Sequence, residues 1–222
     1  PMPADLVSEF IGEPEEVNFD ENTGLADYVV KARIRNSSNG RDSGLFSAVL
    51  NVDDVNSAFK PDLAVSADGF VDIDFHVSGI APGEHSLKLV PDHYGDVVQL
   101  SENKSNDFSD VVFVVPESSN LSIDRDSVSP VKGERNPDKS VNYTVELPFG
   151  NSGGRPIGFS AVASLDGAVL DKVENLSAAS GSLDSQVLQF SLPPGEQNVR
   201  IELTSGGKVL DSYNLEVDVP AV

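Results

Sequence analysis

Apolar and polar side chains alternate along most of this chain with a period of two. In "YVVKARIR" (28–35), Tyr28, Val30, Ala32 and Ile34 share one face, and Lys31, Arg33 and Arg35 share the other. Successive side chains of a strand point to opposite faces, so this pattern predicts a half-buried strand. The same reading groups Phe46, Ala48, Leu50 and Val52 in "FSAVLNV", and turns Val71, Ile73, Phe75 and Val77 inward in "FVDIDFHV". "DVVFVV" (110–115) is apolar on both faces, which predicts a central or inter-sheet strand. "VNYTVEL", "GFSAVASL", "VLQFSL", "NVRIELT" and "YNLEVDV" repeat the alternation in the second half. Gly, Pro, Asn and Asp clusters separate these runs, and no segment of ten residues carries a helical period.

Two phrases occur twice at nearly the same offset. "APGEHSLKLV" starts at Ala81 and "PPGEQNVRIEL" at Pro193, while "FSAV" starts at Phe46 and again at Phe159. A repeated phrase at one offset predicts a duplicated structural unit. The proline and glycine of each "PGE" are expected to fix a tight turn between antiparallel strands. About seven short strands per copy predict an all-β protein of two tandem immunoglobulin-like β-sandwiches. The boundary is placed at "PESSN" (116–120), giving domains 1–116 and 117–222. So short a linker is expected to restrict motion between the copies and to favour a rod-like tandem.

In the first copy, "VDIDFHVSGIAPGEHSLKLVPDHYGDVVQLSENKSND" joins an alternating strand, a Pro82-Gly83 turn, a strand ending at Asp92 and an acidic, Asn-rich loop with Glu102, Asn103, Asn106 and Asp107. Together with "DYVVKARIRNSSNGRDSGLFSAVLNVDD" it resembles CARDB, the cell-adhesion-related domain of bacterial and archaeal surface proteins, over nearly all of residues 4–116. The second copy has no acidic Asn-rich loop after "NVRIELTSGGKVLDSYN" and resembles a divergent CARDB or a related immunoglobulin-like domain. The resemblance implies an extracellular tandem module without catalytic activity or an agreed ligand.

Charge narrows the partners. Acidic residues outnumber basic ones 36 to 15, a formal net charge of −21. That sign repels phosphate backbones and anionic lipid, so no nucleic-acid partner and no direct membrane insertion are expected. It leaves open a solvated surface suited to a saline habitat, divalent-cation binding and an acidic cell-surface protein. With no cysteine, disulfides, thiol catalysis and Cys-ligated zinc are excluded. No stretch approaches the roughly 18–20 apolar residues of a membrane span. A chain starting Pro1-Met2-Pro3 is expected to be a mature or excised product.

The candidate chemistry is sparse. Ser160 in "GFSAV" is not in a G-x-S-x-G elbow, and "NSGGRPIG" lies between strands where a phosphate-binding loop would open a helix. His76, His85 and His93 lack paired ligand spacing and read as exposed histidines, so no enzyme and no organic cofactor are expected. A Ca²⁺ site is conceivable from Asp92, Asp96, Glu102, Asn106 and Asp107, whose hard oxygens flank one strand; the competing reading is an Asx-rich turn holding its own backbone. Sequons stand at Asn36, Asn103, Asn120, Asn142 and Asn175 as possible glycosylation sites. The terminal segments "PMPADLVSEF" and "LEVDVPAV" either complete their own sandwiches or add to a neighbour's edge. The expected function is an extracellular or cell-surface structural or adhesive module with a protein or glycan partner. The alternatives are a self-assembling subunit of a surface layer or filament and a non-catalytic accessory domain of a secreted hydrolase.

Overall fold

The computed structural model describes residues 3–97 and 108–221. The chain divides into two compact units, Pro1–Pro116 and Glu117–Val222. Unit 1 contains β1 (Leu6–Phe10), β2 (Glu15–Asp20), β3 (Leu25–Asn36), β4 (Phe46–Val52), β5 (Val55–Leu63), β6 (Phe70–Ile80), β7 (Gly83–Pro91) and β8 (Ser109–Val115). β1 and β2 pair end to end along one edge of β3, and β6 pairs its other edge. The second sheet runs β5-β4-β7-β8, and every pairing is antiparallel. The inward positions of both sheets meet in one core around Leu6, Ile34, Leu50, Phe75, Leu87 and Leu89. Each unit is therefore a β-sandwich of immunoglobulin-like type.

Unit 2 repeats this scheme strand for strand: β9 (Leu121–Ile123), β10 (Ser129–Arg135), β11 (Val141–Asn151), β12 (Ile157–Leu165), β13 (Ala168–Ala178), β14 (Ser182–Leu192), β15 (Gly195–Ser205) and β16 (Lys208–Val219). β9 and β10 line one edge of β11 and β14 lines the other, while the second sheet runs β13-β12-β15-β16. Each copy thus has eight strands where alternation predicts about seven, because its first edge strand is broken in two. Among the described residues the one helical element is the 3₁₀ turn Arg125–Ser127.

The duplication extends to irregularities. β4 and β5 are joined by Asp53-Asp54, both at positive φ (50° and 63°), and β12 and β13 by Asp166-Gly167 (49° and 82°). Two left-handed residues between paired strands form the hairpin turn whose twist matches that of the strands. β5 bulges at Asp62 (φ 54°) and β13 at the corresponding Asn175 (φ 59°), residue types that tolerate this conformation.

Two expectations are corrected. Gly83 and Gly195 lie at corresponding corners with φ of 129° and 108°, which favour glycine. However, β6 and β7 belong to different sheets, as do β14 and β15, so "PGE" builds an inter-sheet arch and not a hairpin turn. Secondly, "DVVFVV" lies in β8, an edge strand whose Val112 and Val114 are 58% and 65% exposed. Its unbroken apolar run reflects an uncovered outer face and not burial on both sides.

Candidate functional site

The acidic loop after β7 begins at Asp92, in the left-handed region with φ 51°. Its Oδ1 accepts from the amide of Asp96 (2.7 Å), its Oδ2 from that of Val97 (3.1 Å), and its carbonyl from that of Gly95 (3.0 Å). Both carboxylate oxygens therefore hold local backbone, as the Asx-turn reading describes. Asp96 is exposed. Glu102, Asn106 and Asp107 of the Ca²⁺ set lie outside the described residues, as does the sequon at Asn103. Among the described residues no group of three or more His, Asp or Glu is placed to hold a metal ion.

His85 is placed differently from what its sequence neighbourhood implies. Its side chain is only 14% exposed, with Nδ1 2.6 Å from Asp53 Oδ2 and Nε2 2.7 Å from the carbonyl oxygen of Ala81. Both partners are acceptors, so both ring nitrogens donate and the clamp requires an imidazolium. Asp53 Oδ1 also accepts from the Ser86 amide (2.9 Å). Burial disfavours the charged ring, but the bonds to Asp53 and Ala81 together with Asp53's charge outweigh it and raise the His85 pKa above 6.5. The hydrogen bond from His85, followed by that from Ser86, lowers the Asp53 carboxyl below 3.8. The clamp ties the β4–β5 turn to the arch before β7, which suits a structural lock: no ring nitrogen is left to activate a nucleophile. The signal missed in the sequence was long-range pairing of "NVDD" with "APGEH".

The sequons separate by environment. Asn36 is 1% exposed, its Nδ2 donates to the Arg41 carbonyl (2.8 Å) and its Oδ1 accepts from the amides of Asp5 and Ser38. The acceptor nitrogen for a glycan is thus enclosed in the folded unit, and Asn36 is withdrawn as a modification site of the folded protein. Asn151 performs the same task at the end of β11. Asn120, Asn142 and Asn175 are exposed; Asn120 Nδ2 bonds Ser152 Oγ, and Asn142 is linked with Asn136 and Ser191. Both terminal segments pair internally, β1 on β3 and β16 on β15.

Comparison of corresponding positions exposes the largest difference between the copies. Across the outer face of the four-stranded sheet of unit 1 run Phe59, Val49 and Val90, with Phe108 one residue before the Leu89–Ser109 pair. The matching row in unit 2 is Lys172, Val162, Glu202 and Ser212. Val112 and Val114 pair with Ser86 and Glu84, and at the corresponding register of unit 2 stand Glu216 and Asp218. In unit 2, β15 turns into β16 through Gly206-Gly207, whereas in unit 1 residues 92–108, His93 and Tyr94 among them, separate β7 from β8. The Phe59 and Tyr94 rings meet edge to face at 6.0 Å, and His93 lies 5.0 Å from Tyr94. With Val49, Asn56 and Ser57 they line an open groove of about 300 Å³.

No protein-family model matches the sequence. No curated protein matches it either. Among solved structures it is similar to a CARDB domain from Pyrococcus furiosus in complex with di-metal ions, at 17% identity over 51% of this chain and 94% of that one, with a TM-score of 0.39. It is also similar to a β-glucuronidase of Bacteroides uniformis (12% identity, 94% of this chain and 28% of that one, TM-score 0.39). A third is a β-galacturonidase from Eisenbergiella tayi bound to galacturonate (12%, 98% and 42%, TM-score 0.38). The chain spans less than half the length of these two glycosidases.

Proposed function

We propose that the chain is a non-catalytic structural or adhesive module of a prokaryotic surface or secreted protein, holding or presenting a binding face. The observation that carries this reading is how the best-formed polar groups are used. Asp53, His85, Asp92, Asn36 and Asn151 all fasten backbone at turns and arches. The asparagine lock recurs in both copies, at Asn36 and at Asn151, which favours a scaffold built for persistence of shape. A second reading, self-assembly, is favoured by the edge position of β8 with its exposed Val112 and Val114, because an edge strand can pair with a strand of another chain. Light scattering after size exclusion, across protein concentration and with Ca²⁺ or chelator at matched ionic strength, tests both. A monomer of 23.6 kDa throughout supports the module. Growth to large species replaces it with assembly, and hydrolysis of chromogenic glycosides by this chain alone overturns the non-catalytic reading.

A further inference from the structure

Resting on the adhesive reading, we infer that the groove on the outer face of unit 1 binds a neutral carbohydrate. Its floor is β4, which is regular and directs Ser47, Val49 and Asn51 outward. Val49 is buried and closes the bottom of the groove; Ser47 and Asn51, two residues away on either side, are not among its described lining. The walls offer apolar ring surface: Tyr94 is 69% and Phe59 47% exposed. Asn56, Ser57 and His93 add donors and acceptors beside those rings. Exposed ring surface next to amide and hydroxyl groups suits a sugar, whose C–H faces stack while its hydroxyls bond.

Charge selects among sugars. Among the described residues the groove lining holds no Lys or Arg, although on the same face Lys88 lies over the Phe108 ring (4.3 Å); Asp92 and Asp96 sit in the segment that carries Tyr94, and the chain has a net charge of −21. Uronates, sulfated glycans and phosphosugars are repelled. The duplicate supplies an internal control: the position of Phe59 is Lys172 in unit 2, whose equivalent strands meet in a two-residue turn. The same fold therefore stands with a lysine there, paired with Glu174, and the aromatic residue is not a requirement of the sandwich.

Affinity electrophoresis through gels containing a soluble mixed-linkage β-glucan, a mannan or an arabinoxylan tests the site, with heparin as the anionic probe. At least one neutral polymer is expected to retard the protein, heparin to leave it unretarded, and Tyr94→Ala and Phe59→Lys each to weaken retardation about tenfold, as loss of a stacked ring predicts. Lys172→Ala is expected to change nothing. Unfolding midpoints of the variants separate lost binding from lost fold. Absence of retardation by all three neutral polymers, retention of it in both variants, or preference for heparin overturns the inference. A monomer that binds none of them loses its carbohydrate ligand but keeps the structural reading, whereas light scattering decides the latter alone.

Discussion

Replacing Asn151 by alanine removes four hydrogen bonds at one buried site. Its Oδ1 accepts from the amides of Asn120 (2.9 Å) and Gly153 (3.1 Å), and its Nδ2 donates to the carbonyls of Arg155 (2.7 Å) and Ala178 (3.2 Å). The side chain is 1% exposed, so the orphaned groups lose their partner without ready access to water. At about 1 kcal/mol net per bond the expected loss is about 4 kcal/mol, a large share of the stability of a domain this size. Asn36→Ala, with three such bonds, should cost unit 1 about 3 kcal/mol. Asn151→Asp keeps the acceptor but turns an oxygen toward two carbonyls, so it should be no milder, and worse as the carboxyl ionises. Each unit has two tyrosines and no tryptophan, so bulk fluorescence cannot tell them apart. Hydrogen exchange read at individual amides in rising urea can, because the most protected core amides of β11 and β12 report unit 2 and those of β3 and β4 report unit 1. A loss below about 1 kcal/mol would refute the account of Asn151 as a lock. An equal loss in unit 1 would refute the independence of the two cores.

Substitutions at four further positions, one of them read by titration, probe the same physics. Asp54→Gly should raise unit 1 stability by about 0.5–1 kcal/mol in thermal melts, because Asp54 occupies the left-handed position that Gly167 fills in unit 2; Asp54→Asn separates the charge from the strain. Gly153→Ala should be severe, about 3 kcal/mol or more, since its Cβ would fall 2.1 Å from the Ser118 carbonyl oxygen. Asp92→Ala should free the Asp96 and Val97 amides and speed their exchange locally, with little change in the core of β7. The His85 clamp should show two limbs. The raised His85 pKa gives a contribution complete below 6.5 and lost as pH rises through the folded value, while the lowered Asp53 pKa gives one present above 3.8 and lost as pH falls through its folded value. His85→Gln, the residue at Gln197 of unit 2, should abolish the alkaline limb in a melt-versus-pH series, and persistence of that limb would assign it elsewhere.

How much of this was legible follows from what each element buries. β3, β6, β11, β12 and β14 alternate because one face enters a core, β4 is buried on both faces, and the inward residues named from the sequence are buried except Val71 at the start of β6, which is partly so. β10 is exposed at every position and β2 nearly so, which leaves no period to read, and these strands exist by pairing with β3 and β11. The edge position of β8 was misread for a related reason: a strand seated on one apolar face and bare on another looks like a buried one. The Asp53–His85 clamp and the Asn36 and Asn151 locks rest on contacts between residues far apart in sequence. A single sequence marks these residues as ordinary turn formers.

The duplicated turn glycines and the repeated "FSAV" identify what both copies need in order to fold, and for that reason they carry little about what the protein does. Function is better sought where the copies differ at the same register. Phe59 against Lys172, Val90 against Glu202, Val112 against Glu216 and Val114 against Asp218 are positions on which the shared core places no demand. Unit 2 fills them with charge, the default for a solvated sheet face. Unit 1 fills them with apolar side chains, retains them partly exposed and brings His93 and Tyr94 beside Phe59. Exposed apolar surface carries a solubility cost in a chain otherwise so acidic, and a loop alone does not require valines at the free edge of β8. The asymmetry therefore directs experiments to one face of one unit.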